Sequence, residues 1–257
     1  MSGTVTVIIT SYNSVKYILK TINSIIEQSV QPKKIILIDD NSSDIKILYK
    51  IINNIKKESF KNIELISCTK NNGPGYNRNL AWSKCNTDYI AFCDDDDFWY
   101  IDKLKKQLTI FEYNKNVKLV ASQKKMMNES SINKSKKDKK YSKLYFYFLI
   151  FKNTIPTSSV IVKSDIKDRF LNEYYAEDYY LWLSLLKKRY NCYFINEYLC
   201  EKINFNKKNL SDNIKEINKG VQNVLNQFYS KNIINNLLVT MAKLYYYFKM
   251  IIKITIR

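Results

Sequence analysis

The stretch DYIAFCDDDDFWY, residues 88–100, is a short apolar run that ends abruptly in four consecutive aspartates and then an aromatic cluster. An apolar run of this length bounded by polar residues reads as a buried strand. The aspartates, Asp94 to Asp97, therefore fall at its C-terminal end. Adjacent ionised carboxylates raise one another's pKa unless a cation neutralises them. A hard divalent ion, Mg²⁺ or Mn²⁺, is the economical partner for such a group. In an extended chain, residues i and i+2 point the same way, so Asp94 and Asp96 are expected to face one site together. The bland alternative is an acidic surface cluster that balances nearby lysines.

Similar signals lie upstream. TVTVIIT (residues 4–10), KKIILIDD (33–40) and NIELISC (62–68) are short, apolar and rich in β-branched residues, like strands buried on both faces. Between them, SVKYILKTINSIIEQ (14–28) carries Ile18, Ile22, Ile25 and Ile26 at helical spacing. NSSDIKILYKIINNIKK (41–57) starts with helix-capping residue types, and NNGPGYNRNLAWSKC (71–85) is a glycine-containing loop running into a helix. Strands alternating with helices predict a mainly parallel sheet flanked by helices, an α/β architecture. In such sheets ligands bind beyond the carboxyl ends of the strands. The Thr10–Asn13 turn, Asp39–Asp40 and Asp94–Asp97 all fall on that edge.

Beyond Tyr100 the pattern reads as a helix over 101–113, strands at VKLVAS (117–122), TSSVIVK (157–163) and CYFINEYLCEKINF (192–205), and a helix in AEDYYLWLSLLKKRY (176–190). The lysine-rich QKKMMNESSINKSKKDKKYSK (123–143) reads as a mobile loop. From about residue 211 the chain reads as helical.

The formal net charge is +18, which favours anionic partners. Only Arg78, Arg169, Arg189 and Arg257 are arginines, whereas base-reading proteins rely on arginine for bidentate contacts. No nucleic-acid partner is expected on that ground. The five cysteines are scattered, and without histidine a zinc site is not expected. They read as reduced thiols, and the first residues enter a strand pattern with no signal-peptide core, so the expected location is cytoplasmic.

Three segments together, residues 7–44, 71–99 and EDYYLWLSLL (177–186), resemble the family 2 glycosyltransferases of the GT-A fold, the nucleotide-diphospho-sugar transferase fold. The resemblance implies an inverting, metal-dependent enzyme that moves a sugar from a nucleoside-diphosphate-sugar, most simply a UDP-sugar, to a hydroxyl. The acceptor implied is a saccharide, carried on a polyprenyl diphosphate in surface polysaccharide biosynthesis. By position, Thr10, Tyr12 and Asn13 would line the base and ribose site. Tyr12 offers either a stacking face or ordinary edge packing. Asp40 would accept a hydrogen bond from the base, or else cap the DNSSD turn. Arg78 follows the Gly73-Pro74-Gly75 turn and would serve the donor side. Asp94, with Asp95, would face the ribose, and Asp96 would hold Mn²⁺ or Mg²⁺; the register within the four aspartates stays open by one.

Glu177 and Asp178 open a helix, where acids complement the dipole. The resemblance makes Asp178 the general base. Relatives often carry an Arg-x-His-like element after that helix, and here CEKINFNKKNLS (200–211) offers Lys202 and Asn204 instead. The expected organisation is a catalytic domain over 1–205, with a nucleotide-sugar half over 1–100 and an acceptor half over 101–205, and a helical extension over 206–257. In that extension Leu237, Leu238, Met241, Leu244, Tyr245, Phe248, Ile251 and Ile252 form a stripe interrupted by Lys243, Lys249, Lys253 and Arg257. Such a helix either lies on an anionic membrane, the inner face of the cell membrane, or packs on the domain. Two other classes compete. A nucleotidyltransferase would need a basic, glycine-rich phosphate loop after the first strand, and TSYNSVKY (10–17) is not one. A nucleic-acid-binding protein would explain the charge but not the aspartates.

Overall fold

The computed structural model describes residues 3–126, 140–172, 175–203, 213–228 and 233–255. The first half alternates as the sequence predicts: β1 (Val5–Ser11), α1 (Val15–Ile26), β2 (Lys34–Asp39), α2 (Ile45–Glu58), β3 (Ile63–Ser67), α3 (Pro74–Trp82) and β4 (Tyr89–Asp94). These strands pair in parallel in the order β3-β2-β1-β4. β1, β2 and β4 are buried on both faces, which is why they read as apolar runs, while β3 at the sheet edge is buried only at Ile63.

Side-chain alternation splits the core into two layers. Val7 and Ile9 of β1, Ile35 and Leu37 of β2, and Ala91 and Cys93 of β4 face one way. There they meet Ile18 and Ile22 of α1 and Leu48 and Ile52 of α2. Ile8, Ile36, Ile38, Ile90 and Phe92 face the other way, onto Ala81 and Trp82 of α3. The second layer is tied by a ring cluster in which Phe92 meets Phe170 edge-on at 4.9 Å and Trp82 at 5.6 Å.

The second half is β5 (Asp97–Trp99), α4 (Lys103–Tyr113), β6 (Val117–Lys125), β7 (Tyr141–Lys143), α5 (Phe146–Leu149), a single 3-10 turn at Thr157–Ser159, β8 (Ile161–Lys163), α6 (Glu177–Lys187), β9 (Asn191–Lys202), α7 (Ile214–Asn226) and α8 (Ile233–Thr255). The sheet extends from β4 through β8 and β6 to β9. Here β4–β8 and β8–β6 are antiparallel, β6–β9 is parallel, and β5 and β7 pair antiparallel with β9 at separate positions. The parallel half agrees with expectation, and the antiparallel additions lie beyond β4. The lysine-rich 123–143 segment is shorter as a loop than its composition suggests. β6 runs on through Lys125, β7 starts at Tyr141, and residues 127–139 lie outside the described residues. TSSVIVK divides between the 3-10 turn and β8.

α4 covers the first layer with Leu104, Leu108 and Phe111. α6, α7 and α8 cover the second with Trp182, Leu185, Val224, Val239 and Ala242. Among the described residues no helix is long and apolar enough to cross a membrane.

One close approach fixes the geometry of the site. A Cβ on Gly75 would lie 2.0 Å from the Leu171 carbonyl oxygen and 3.0 Å from Glu177 Cγ, so α3 sits where only glycine fits. Gly75→Ala forces α3 away from this backbone, and we expect a loss of about 1–3 kcal/mol of stability. A urea unfolding midpoint unchanged from the parent would contradict this.

Candidate active site

The parallel register sets the polar ends of three strands side by side: Thr10 is level with Asp94 across β1–β4, and Ser11 with Asp39 across β1–β2. The chain reverses order at β1, and the crevice there is where such sheets place ligands. A cavity of about 730 Å³ opens at this edge. Thr10, Tyr12, Asn13, Asp40, Arg78, Asp94, Asp95, Asp96 and Asp178 all line it, as do Glu177 and Lys202. All nine residues singled out in the sequence thus border one space.

The floor is a set of crossed hydrogen bonds between loops. Asn13, with φ of 51°, donates its backbone N–H to Ser42 Oγ at 2.8 Å and accepts from the Ser43 N–H through Oδ1 at 3.1 Å. The Tyr12 N–H donates to Asp95 Oδ2 at 3.0 Å, and the Tyr12 side chain remains 45% exposed at the rim. Asp40 accepts from the Asn72 and Gly73 N–H groups at 2.8 and 2.9 Å. Its carboxylate orders the loop before α3, while the DNSSD turn is closed by Asp39, which accepts from the Ser42 N–H at 3.0 Å.

The four aspartates separate. β4 ends at Asp94, and Asp95 and Asp96 form a turn, so the strict alternation expected of an extended chain does not continue. Asp94, Asp95 and Asp96 all border the cavity as a result. Asp96 pairs with Lys202 Nζ at 3.3 Å. Asp97 restarts as β5, is fully buried, and pairs with Lys124 of β6 away from the cavity. Burial, reinforced by Asp94, pushes the Asp97 carboxyl up to about 6 against the pull of Lys124. Trp99 lies beneath the turn and donates Nε1–H to the Ser158 carbonyl at 3.0 Å.

Arg78 connects the two halves. Buried at 4% exposure, it donates from Nη2 to Asp94 Oδ1 at 2.8 Å and from Nη1 to Glu177 Oε1 at 2.7 Å. Burial opposes its charge, but Asp94 and then Glu177 outweigh it and raise its pKa. Burial likewise works against the Asp94 charge, yet Arg78 and then Lys124 hold that carboxyl below its usual range. Glu177 is pushed up to about 7 by burial and then by Asp178, with Arg78 pulling the other way.

Asp178 has different company. Its Oδ2 accepts from Thr157 Oγ1 at 2.7 Å, and Oδ1 accepts from the Tyr179 N–H at 2.6 Å. Burial raises its pKa, with the Thr157 hydroxyl and then Arg78 acting against that rise. The reading from sequence missed Thr157 and Asn77. Thr157 lies in the 3-10 turn 21 residues before Asp178, a separation that leaves no local pattern. Asn77 lines the cavity with Nδ2 buried and unpartnered, and only its place one helical step before Arg78 marked it. Asn204 lies outside the described residues.

Parallel β1–β4, a cavity at their carboxyl edge and a rim of carboxylates fit a GT-A fold. The sequence model of glycosyl transferase family 2 matches residues 6–169. The chain belongs to that family and is a glycosyltransferase. An uncharacterized glycosyltransferase of Haemophilus influenzae is 41% identical over 110 residues, a match that spans 43% of each chain. The Escherichia coli UDP-Glc:alpha-D-GlcNAc-diphosphoundecaprenol beta-1,3-glucosyltransferase WfgD is 28% identical over 84% of this chain and 83% of its own. Among solved structures, S. aureus TarS 1-349 in complex with UDP-GlcNAc superposes with a TM-score of 0.72 at 18% identity, over 96% of this chain and 73% of that one. The mannosyltransferase PcManGT from Pyrobaculum calidifontis, in complex with GDP-Man and Mn²⁺, does so at 0.70 and 15%, over 96% and 70%.

The Arg78 bridge is expected to dominate local stability. Arg78→Met strands the buried Glu177 carboxylate and unpairs the part-exposed Asp94, and should cost about 3 kcal/mol. Arg78→Lys should recover only part of this, because one ammonium lacks the fork that reaches both partners. Urea unfolding of the two variants tests this, and a loss under 1 kcal/mol for Arg78→Met would remove the bridge from its role.

Proposed function

We propose that the protein transfers a sugar, with inversion, from a nucleoside diphosphate to a hydroxyl of a lipid-linked saccharide during surface polysaccharide synthesis. The observation that carries this is the shared cavity: the strand-end loops that fit a nucleotide and a half-buried aspartate on a separate helix border the same space. Tyr12 at the rim offers a ring for the base to stack on, and Thr10 and Asn13 line the sugar side of the nucleotide. A uridine donor and a diphosphoundecaprenol-linked acceptor are the substrates in the name of the relative WfgD, which supports the same classes here. Such an acceptor places the enzyme's work at the inner face of the cell membrane.

Asp178 takes the proton from the acceptor hydroxyl. The freed oxygen pair forms the new bond to the anomeric carbon from the face opposite the diphosphate. The bond from that carbon to the diphosphate oxygen breaks, and its electron pair leaves with the nucleoside diphosphate. One base suffices for this single displacement. Thr157 and the Tyr179 N–H aim the carboxylate, and Arg78 holds Glu177 apart from it.

Among the described residues no group of three or more acidic or sulfur side chains converges as a complete cation cage. An ion that takes one or two carboxylates plus donor diphosphate oxygens needs no such cage. The donor set fits: all-oxygen, acidic, and at the cavity edge. Asp96, with Asp94 beside it, would hold Mn²⁺ or Mg²⁺, which when bound neutralises charge on the departing diphosphate.

Asp178→Asn should preserve donor affinity by calorimetry and lower turnover about 100-fold or more, the usual scale for losing a general base. Glu177→Gln should retain more turnover. The reverse ranking would transfer the base to Glu177. Asp96→Ala should abolish the Mn²⁺-dependent part of donor binding; undiminished binding would sink that ligand.

Turnover requires ionised Asp178, so it is lost as pH falls through that residue's raised pKa. The Thr157 hydroxyl favours the charged form. Thr157→Val should therefore raise the pKa further and move the acidic limb of kcat/KM to higher pH. A limb that stays in place or moves lower would show that Thr157 does not tune the base.

A further inference from the structure

Helix α8 has two apolar faces. Val239 and Ala242 are buried, and Leu238 and Tyr246 pack partly buried against the core. The opposite face is apolar as well: Leu237, Met241, Leu244, Tyr245, Tyr247, Phe248, Ile251 and Ile252 are each at least 41% exposed. At about 100° per residue they occupy an arc of roughly 160° in which Thr240 is the one polar position between Leu237 and Ile252. Lys243 and Lys249 fall about 40° beyond its two edges, where long side chains reach a polar boundary while the arc stays apolar.

A second apolar patch adjoins it. Tyr145, Tyr147 and Phe148 at α5 are 52%, 62% and 78% exposed. Phe151, just beyond α5, meets Tyr245 at 6.3 Å. The Asn153 N–H donates to Tyr246 Oη at 2.9 Å.

We infer that the outer face of α8 and the aromatic residues of α5 dock the protein onto an anionic lipid bilayer, with α8 lying in the plane of the interface. Charge selects the occupant. From Ile217 to Arg257 the chain has six basic residues and no Asp or Glu, and from Lys140 to Ser164 it has four lysines and no acid. A second copy of the chain would bring the same positive border against its own across a symmetric interface, which disfavours self-association. An anionic surface is complementary to that border, and the apolar arc with its aromatic residues suits the boundary between headgroups and acyl chains.

The surface also adjoins the site. Tyr246 packs 6.2 Å from the ring of Tyr179, the residue after Asp178. Tyr246 is on the inner face of α8, so a bilayer under α8 and α5 lies about one helix thickness from the start of α6, where a lipid-carried hydroxyl must arrive. The docking surface rests on its own chemistry and stands independently of that acceptor.

The test is sedimentation of the full chain with vesicles of phosphatidylcholine, alone or mixed with phosphatidylglycerol. The parent should pellet with the mixed vesicles, less so with the neutral ones, and be released by salt. Leu244→Asp with Phe248→Asp should lower partitioning at least about tenfold, with circular dichroism and the thermal midpoint unchanged. A parent that stays in the supernatant, or a variant that pellets as the parent does, overturns the proposal. So does gel filtration in which the variant turns a dimer into a monomer without changing vesicle binding. Hydrolysis of donor in the same samples reports on the enzymatic reading separately.

Discussion

One buried guanidinium holds the two halves of this protein together. Arg78 reaches back to Asp94 at the end of β4 and forward to Glu177 at the start of α6. Both N–H···O distances are short, and the Glu177 partner is buried while Asp94 stays a third exposed, so the bond to Glu177 is the one worth more than a surface pair. The planar fork matters, because it aims two donors at two carboxylates that approach from different elements. Gly75 permits the arrangement by letting α3 lie against Leu171 and Glu177. The loop ahead of α3 is in turn ordered by Asp40, so the bridge is supported from both ends of the site.

The charge around the cavity does not balance. Asp40, Asp94, Asp95, Asp96, Glu177 and Asp178 line it, while Arg78 and Lys202 are the lining bases. This acidic pocket sits in a chain of formal charge +18. A nucleotide diphosphate approaching such a rim meets repulsion, and a divalent cation arriving with it reverses the sign locally. That imbalance, rather than any assembled cage, is what supports the proposed metal dependence.

How far the sequence reveals this depends on the range of the interaction. Strands β1, β2 and β4 were legible because burial on both faces imposes a local apolar pattern, and the strand ends carried the polar residues that define the site. The two three-residue strands β5 and β7 were not legible, since their pairing to β9 depends on residues 50 to 105 positions away. The same limit hid the division of labour among the aspartates. Asp97 resembles its neighbours in sequence, but Lys124 on β6 draws it inward. Asp39 rather than Asp40 closes the DNSSD turn, because the Gly73 loop that claims Asp40 comes from 33 residues further on. In α8 seven of the eight stripe residues read from sequence lie on the exposed face, and Leu238 alone packs partly buried against the core.

Glu177 and Asp178 are adjacent carboxylates whose surroundings push them toward different work. Glu177 is fixed by Arg78 and buried, so its side chain has little freedom to meet an acceptor. Asp178 is held by a hydroxyl and a backbone N–H, weaker partners that orient without neutralising it. The turn that presents them is strained: Ala176, immediately before, has φ of 61°, a region alanine seldom enters. Asn13 and Asn41, with φ of 51° and 65°, sit in the neighbouring loops, where asparagine tolerates that conformation better. Strain of this kind, of order 1–3 kcal/mol per residue, persists where surrounding contacts over-determine it. Here the Arg78–Glu177 bond and the Thr157–Asp178 bond supply that constraint, one on each of the two carboxylates that follow Ala176. The interaction that stabilises the fold is therefore the one that leaves Asp178 facing the cavity.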